Sequence, residues 1–380
     1  MSALDEYRKE LDQIDENMTR LLEARMRIAE KIAAYKLDHH VPVLDARRER
    51  EVLDRITRYA APDMAYYTRT MYSNIMEMSK DHQRKAVQED TDLVKSIKKA
   101  MEETPKVFPA TATIACAGVL GAYAQHACDK LFKMPQIMYL KNLHSVFAAI
   151  DSGLCQYGVL PVENSTAGSI NQIYDLLSKH GFYIVKSIKL KVDHSLLAKK
   201  GTKKADIKRI YASENAAWQC DDYLKNFPQA ELILCDTTAD GAKIVAEADS
   251  TECAALASFE CGMLYGLSCL EEGVQDQSSN YTRFICISKN MEIYPGADKL
   301  SLKMEVSHKA GSLYQVLARF NSLGLNILKL ESRPIPKRDF EQMLYIDVDA
   351  NVYSEEFYRL MNQLAELAHD YQYLGSYMEI

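Results

Sequence analysis

The feature that most constrains this chain is an apolar seam running through residues 4–36. Leu4, Tyr7, Leu11, Ile14, Met18, Leu21, Ile28, Ile32 and Tyr35 recur at alternating three- and four-residue steps, the signature of one face of a helix about 33 residues long. A single charge interrupts it: Arg25 stands where an apolar residue is expected. An unpaired charge in a seam is costly, so an anionic group should meet it unless the side chain snorkels to solvent. Lys36, eleven residues on, lies about 20° round the helix on the same face. Pro42 ends this helix. A second begins near Asp45 and places Asp45, Arg48 and Glu49 on one face with Val52. A third runs from about residue 63 past Gln83, and its stripe of Tyr72, Met76, Ser79 and Gln83 turns polar in the last two turns. Polar groups late on a core stripe read as the lining of a small cavity; alone, the charges of the second helix read more simply as a solvated ion-pair face.

A second organising stretch is Gly158–Leu177, GVLPVENSTAGSINQIYDLL. Gly158–Val162 reads as a buried strand, residues 163–168 as a polar turn, and Ser169 as the start of a helix with Ile170, Ile173, Tyr174 and Leu177 on one stripe. Backbone N–H groups and the helix dipole then converge on a pocket for an anion, with Asn164, Ser165 and Thr166 adding side-chain hydrogen bonds. More than a hundred residues later stands Asn280-Tyr281-Thr282-Arg283-Phe284.

Together these two stretches resemble the prephenate dehydratase family, whose signatures are a P-[IV]-E-N-[ST]-x-x-G-S loop and an N-x-T-R-F segment; both are intact here. With the flanking domains the resemblance extends to the bifunctional chorismate mutase–prephenate dehydratases of phenylalanine biosynthesis, over nearly the whole chain. It implies three domains: an all-α chorismate mutase over residues 1–88, an α/β two-lobed dehydratase of periplasmic-binding-protein type over 111–290, and an α+β ferredoxin-like ACT regulatory domain over 300–380. Residues 89–110, charged and helical at their centre, read as an exposed linker, and residues 291–299, with Pro-Gly, as a second. The strand–helix alternation from Thr113 to Ser258 fits an α/β domain with largely parallel sheets. The βαββαβ order after residue 300 is ferredoxin-like, a fold that by itself says nothing about function.

The resemblance also implies roles. Arg25 and Arg48 would bind the carboxylates of chorismate, Lys36 and Gln83 would donate to its ether oxygen, and Asp45, Glu49 and Ser79 would orient the ring hydroxyl. This rearrangement is pericyclic, so catalysis means holding one conformer and stabilising charge on the departing oxygen. Arg8 matches a family position yet lies ~26 Å along the helix from Arg25. In the family the long helices pair between two chains, so Arg8 would complete the partner's site in a homodimer. In the dehydratase, Thr282 would act at the departing hydroxyl, Asn164 and Gln219 would hold prephenate, Ser165 and Thr166 a carboxylate, and Arg283 would be a counter-charge. Gly311-Ser312-Leu313 and Glu331-Ser332-Arg333-Pro334 resemble the two phenylalanine-binding motifs of the ACT domain, which implies feedback inhibition by L-phenylalanine. The chain departs from the family at Ala122 and Ala124, where hydroxyls are usual, and at Ala212, Ser213 and Asn215, where Ser, His and Gln are. The departures at Ala122, Ala124, Ala212 and Ser213 leave a second reading open, a dehydratase-like domain that mainly binds ligand; a third is an arogenate dehydratase, whose substrate differs from prephenate by an amino in place of a keto group.

A net charge of −7 and pI near 5.8 argue against nucleic acid or an anionic membrane as the main partner. No apolar run approaches the ~18 residues of a membrane span, and the charged start MSALDEYRKE is no signal peptide. The nine cysteines include no C-x-x-C pair, so zinc is not expected and reduced thiols in a cytoplasmic protein are. No metal or organic cofactor is expected.

Overall fold

The computed structural model describes residues 3–39, 41, 45–85, 90–307, 309, 311–335, 342–368 and 370–380. Pro42, the 88/89 boundary and most of the turn between residues 335 and 342 lie outside them. The chain divides into two compact units, 1–90 and 91–380.

The first unit is helical: α1 Ala3–Asp38, α2 Ala46–Tyr59 and α3 Ala65–Lys85. α1 is a single uninterrupted helix of 36 residues. Asp45 caps α2, its carboxylate accepting from Arg48 N at 2.9 Å, the usual way to satisfy an orphan N–H at a helix start. On α1 the buried positions are Ala29 and Ala33, and on α3 Met76, Ser79 and Gln83. The seam itself stays open: Leu11 is 57% and Leu21 72% exposed.

The second unit opens with α4, Asp92–Glu103, capped by Thr91. The expected exposed linker is here corrected. Val94, Ile97 and Ala100 fall at helical spacing and are buried against the C-terminal core, because only one side of α4 carries the charges. The first lobe follows as β1 Thr111–Ala117, α5 Tyr123–Leu131, β2 Met134–Leu140, α6 Leu143–Asp151, β3 Tyr157–Asn164, β4 Gly168–Ser169, α7 Asn171–His180 and β5 Tyr183–Lys191. The chain then crosses to a second lobe: β6 Ser195–Ala198, β7 Arg209–Ser213, α8 Glu214–Gln219, α9 Asp221–Leu224, β8 Glu231–Cys235, α10 Thr238–Glu247, β9 Cys253–Ala257, α11 Phe259–Tyr265 and β10 Ser268–Glu271. It returns as β11, Tyr281–Ser288.

The sheet orders are β2-β1-β3-β11-β5, with β4 on β3, and β10-β6-β9-β7-β8. Both are mixed rather than largely parallel: β3–β11, β11–β5, β6–β9 and β10–β6 are antiparallel. Crossing twice between lobes makes the returning strand run against its neighbours. β3 also extends through Glu163 and Asn164, and α7 starts at Asn171 instead of Ser169, because Gly168-Ser169 folds back to pair with β3.

The chain ends as β12 Lys299–Glu305, α12 Ser312–Ser322, β13 Asn326–Pro334, β14 Gln342–Asp349, α13 Glu355–Leu367 and β15 Asp370–Tyr377. The antiparallel order β13-β14-β12-β15 is that of a ferredoxin-like sheet. This sheet is docked on the first lobe. Tyr345, Leu374 and Tyr377 share a core with Phe147, Ile173 and Ile184. Gly375 passes so close that a Cβ there would lie 2.2 Å from the Ile184 carbonyl oxygen. Ile293 and Ala297 are buried in the C-terminal core, so residues 291–299 pack as part of the body rather than as a free linker.

Candidate active site

The two lobes enclose a cleft of about 530 Å³ lined from both sides. At its centre the ladder of β3 and β11 pairs Asn164 directly with Thr282. Asn164 Oδ1 accepts from Thr166 N at 3.0 Å, Ala167 N at 2.8 Å and Thr166 Oγ1 at 2.6 Å. Those backbone donors fix the amide, so that Nδ2 donates to Thr282 Oγ1 at 2.9 Å and to Asn280 Oδ1 at 2.8 Å. Gln219, at the end of α8, comes from the other lobe. Its Oε1 accepts from Asn280 Nδ2 at 2.8 Å, and its Nε2 donates to Thr166 Oγ1 at 3.1 Å. Thr282 therefore receives a hydrogen bond and keeps its own proton for a ligand.

His194 lies between the lobes, 2% exposed, with Nε2 at 2.9 Å from Gln219 Oε1. An amide oxygen accepts, so Nε2 carries the proton and Nδ1, which has no partner, is a bare acceptor. Burial lowers its pKa, against the hydrogen bond to Gln219 and the charge of Asp193. An imidazole held toward its neutral form in this way orients Gln219 through Nε2. Tyr123, whose hydroxyl donates to the Asp193 carbonyl, is held un-ionised chiefly by burial.

Several expectations are corrected. The N–H groups of the 164–168 turn are not open to an anion: Thr166 and Ala167 give theirs to Asn164 Oδ1, and Ser165 gives its own to Tyr281 O. Thr166 is taken up by Asn164 and Gln219, and Ser165 Oγ bonds Ser279 O at 3.1 Å and Tyr281 N at 2.9 Å. Arg283 is not a counter-charge in the cleft. Being next to Thr282 on a strand, it faces the opposite side, where it meets Asp347 at 2.5 Å and Glu163 at 3.3 Å. The cation that does line the cleft is Lys141. It follows β2, a strand whose MPQIMYL sequence alternates too weakly to be read. Ala122 and Ala124 line the cleft and Ala212 is buried behind it. Ala122 offers no side-chain cap to α5, so the helix's first N–H groups remain for a ligand. Ser213 caps α8 through Ala216 N at 3.3 Å.

In the helical unit the structure buries Ser79 and Gln83 on α3 and half-buries Arg25 on α1. Arg25 Nη1 and Gln83 Oε1 are buried without a partner. Lys36 is half-buried near the end of α1. Glu49 pairs with Lys80 at 2.9 Å, and Lys80, which the sequence pattern did not single out, also meets Glu77 at 2.6 Å. Asp45 is occupied as the α2 cap, Arg48 is exposed and pairs with Glu51 at 3.4 Å, and Arg8 is exposed, 4.0 Å from Asp5.

In the C-terminal sheet Gly311 precedes α12 with φ of 88°, a left-handed value suited to glycine. Ser312 and Leu313 follow at the open start of that helix. Glu331 and Arg333 are turned toward the first lobe instead of outward. Arg333 meets Asp175 at 3.1 Å, Glu331 meets Lys329 at 3.3 Å, and the Asn171 amide bridges the two. Ser332 and Pro334 alternate to the exposed face.

A helical unit with a buried, unpartnered arginine nitrogen and glutamine oxygen, joined to a two-lobed α/β body with an amide-gripped threonine in its cleft, is the architecture of a two-site enzyme of small molecules. Residues 7–84 match the chorismate mutase type II family and residues 114–292 the prephenate dehydratase family. The chain is 30% identical to the bifunctional chorismate mutase/prephenate dehydratase of Escherichia coli K12 over 97% of its length and 95% of that protein. It is 32% identical to arogenate dehydratase 2 of Petunia hybrida, over 70% of this chain and 71% of that one. The structure of a prephenate dehydratase from Arthrobacter aurescens, solved with L-Phe, shares its fold with a TM-score of 0.64 and 24% identity, covering 70% and 90% of the two chains. The chain belongs to the bifunctional chorismate mutase/prephenate dehydratase family.

Proposed function

We propose that the chain converts chorismate to prephenate at its helical unit (1–88) and prephenate to phenylpyruvate at its two-lobed domain (111–290), with residues 300–380 as an ACT regulatory domain. The observation that carries the second step is the Asn164–Thr282 hydrogen bond inside the cleft. Expulsion of the ring hydroxyl needs a proton or a strong donor, while loss of carbon dioxide supplies the electrons that aromatise the ring. Thr282 accepts from Asn164 and so presents its own proton outward. A threonine is a feeble acid in water, and closure of the two lobes makes that donation effective by excluding solvent. Gln219 and His194 keep Asn164 in register. Lys141 and the first N–H groups of α5 offer carboxylate recognition in place of Ser165, Thr166 and Arg283.

For the first step, Arg25 and Gln83 are the groups with unmet hydrogen-bonding capacity. A substrate carboxylate accepts from Arg25 Nη1 and the ring hydroxyl of chorismate donates to Gln83 Oε1, which leaves the Gln83 Nε2 to donate to the ether oxygen, with Lys36, Arg48, Glu49, Ser79 and Asp45 as the surrounding set. The exposed seam of α1 supports a homodimer in which Arg8 reaches a second copy's site. L-phenylalanine is the effector proposed at Gly311, Ser312, Leu313, Ser332 and Pro334, with Glu331 and Arg333 joining that surface to α7. No helix among the described residues is long and apolar enough to cross a membrane, in keeping with a proposed cytoplasmic location.

The test is a progress assay on purified protein given chorismate, following prephenate and phenylpyruvate with and without L-phenylalanine. Phenylpyruvate suppressed by phenylalanine supports the whole reading; prephenate accumulating alone overturns the second step. The Petunia relative favours one further substrate, arogenate, and the same assay with arogenate measures it.

A further inference from the structure

The two strands that carry Asn164 and Thr282 into the cleft carry Glu163 and Arg283 on their reverse face, and the C-terminal sheet meets both. Asp347 lies mid-sheet on β14 with its side chain 5% exposed, and Arg283 is 12% exposed. The carboxylate accepts from Ser301 Oγ at 2.6 Å on one oxygen and from Arg283 Nη2 on the other. Lys329 of β13 completes the grid, reaching Ser169 Oγ at 2.5 Å, Tyr174 Oη at 3.0 Å and Glu163 at 3.5 Å. Burial is the largest influence on the Arg283 charge and works against it, but Asp347, Tyr377 and Tyr174 together outweigh it, and the guanidinium's pKa lies above its ordinary value. A buried carboxylate must be compensated, and Arg283, from the other domain, is the charge that meets Asp347.

The β3–β11 ladder beneath the cleft is irregular next to this grid. Between β3 and β11 the pairing slips after Glu163–Arg283, so that Phe284 faces Pro161. Proline has no N–H to give, and a bulge leaves one residue unpaired. The rung bearing Asn164 and Thr282 therefore sits beyond an interruption in the β3–β11 pairing; β5 keeps Thr282 in register with Leu190 and β4 pairs Gly168 with Asn164, while the ion-pair grid braces the reverse face.

We infer that Asp347, acting through Arg283, is a positioning residue for the dehydratase cleft: the C-terminal sheet sets the attitude of the Asn164–Thr282 rung. This rests on the proposed dehydratase reading.

The experiment is a double-mutant cycle in the full chain, combining Asp347→Asn with Thr282→Ala and reading phenylpyruvate formation from prephenate. With Thr282 present, Asp347→Asn lowers kcat roughly tenfold while KM stays within about twofold. In the Thr282→Ala background the same change costs less than about twofold, because the group being positioned is gone. A purely structural role gives the same loss in both backgrounds and overturns the inference, as does an unchanged kcat. If Asp347→Asn yields no folded protein, Arg283→Lys, which keeps the charge but loses the fork, is used in the same cycle with the same criteria. Wild-type protein that forms no phenylpyruvate overturns the dehydratase reading, and this inference with it.

Discussion

Asn164 and Thr282 face each other on one rung of the β3–β11 ladder, and the amide donates to the hydroxyl at 2.9 Å. The direction of that bond decides the chemistry. With Asn164 Oδ1 saturated by the turn's own N–H groups, its Nδ2 is left to Thr282, which must accept and is free to donate onward.

Thr282→Val keeps the shape and removes the donor. Phenylpyruvate formation is expected to fall by on the order of 10²- to 10⁴-fold, whereas Thr282→Ser retains a substantial part. Steady-state assays on prephenate measure both, and mutase activity on chorismate stays at the wild-type level in each variant.

Arg25→Ala is the reciprocal test. Removing the orphaned guanidinium costs mutase activity roughly 10²-fold or more, while dehydration of supplied prephenate is unaffected. Loss of both activities would instead point to a shared folding defect.

His194 gives a stability signature in pH. Its folded pKa lies below the ordinary value of 6.5 through burial. As pH falls through the unfolded value, the unfolded chain takes up a proton that the folded chain refuses. Stability from the neutral imidazole is therefore lost as pH drops below about 6.5, and the loss levels off under the depressed folded value. The thermal midpoint of wild type should fall more between about pH 7.5 and 5.5 than that of His194→Gln; equal slopes would refute it.

The exposed seam of α1 predicts association. Ile14→Glu with Leu21→Glu places charges in the middle of that face, and sedimentation should show the expected dimer of the wild type replaced by a monomer. Mutase activity should fall with it, since Arg8 could no longer reach a second site.

What the sequence by itself determined was periodic and local. The step pattern of residues 4–36 specified a single long helix, and the PVENSTAGS and NYTRF segments marked the strands that meet in the cleft. The ββ-rich order after residue 300 likewise defined the ferredoxin-like sheet. Direction and partnership were decided only by tertiary structure. Thr282 and Arg283 are neighbours in sequence, but strand alternation sends one into the cleft and the other to a carboxylate 64 residues away. The N–H groups of Thr166 and Ala167 look ready for an anion but close a local turn onto Asn164 Oδ1, and what the fold adds is the grip of its Nδ2 on Asn280 and Thr282. Lys141 escaped notice because β2 is held by pairing with β1, not by a pattern of its own. α4 and residues 291–299 read as linkers because their few apolar residues gain meaning only once a neighbouring sheet buries them. Local spacing fixes which backbone forms; burial and electrostatic compensation, which depend on distant residues, fix what each side chain is for.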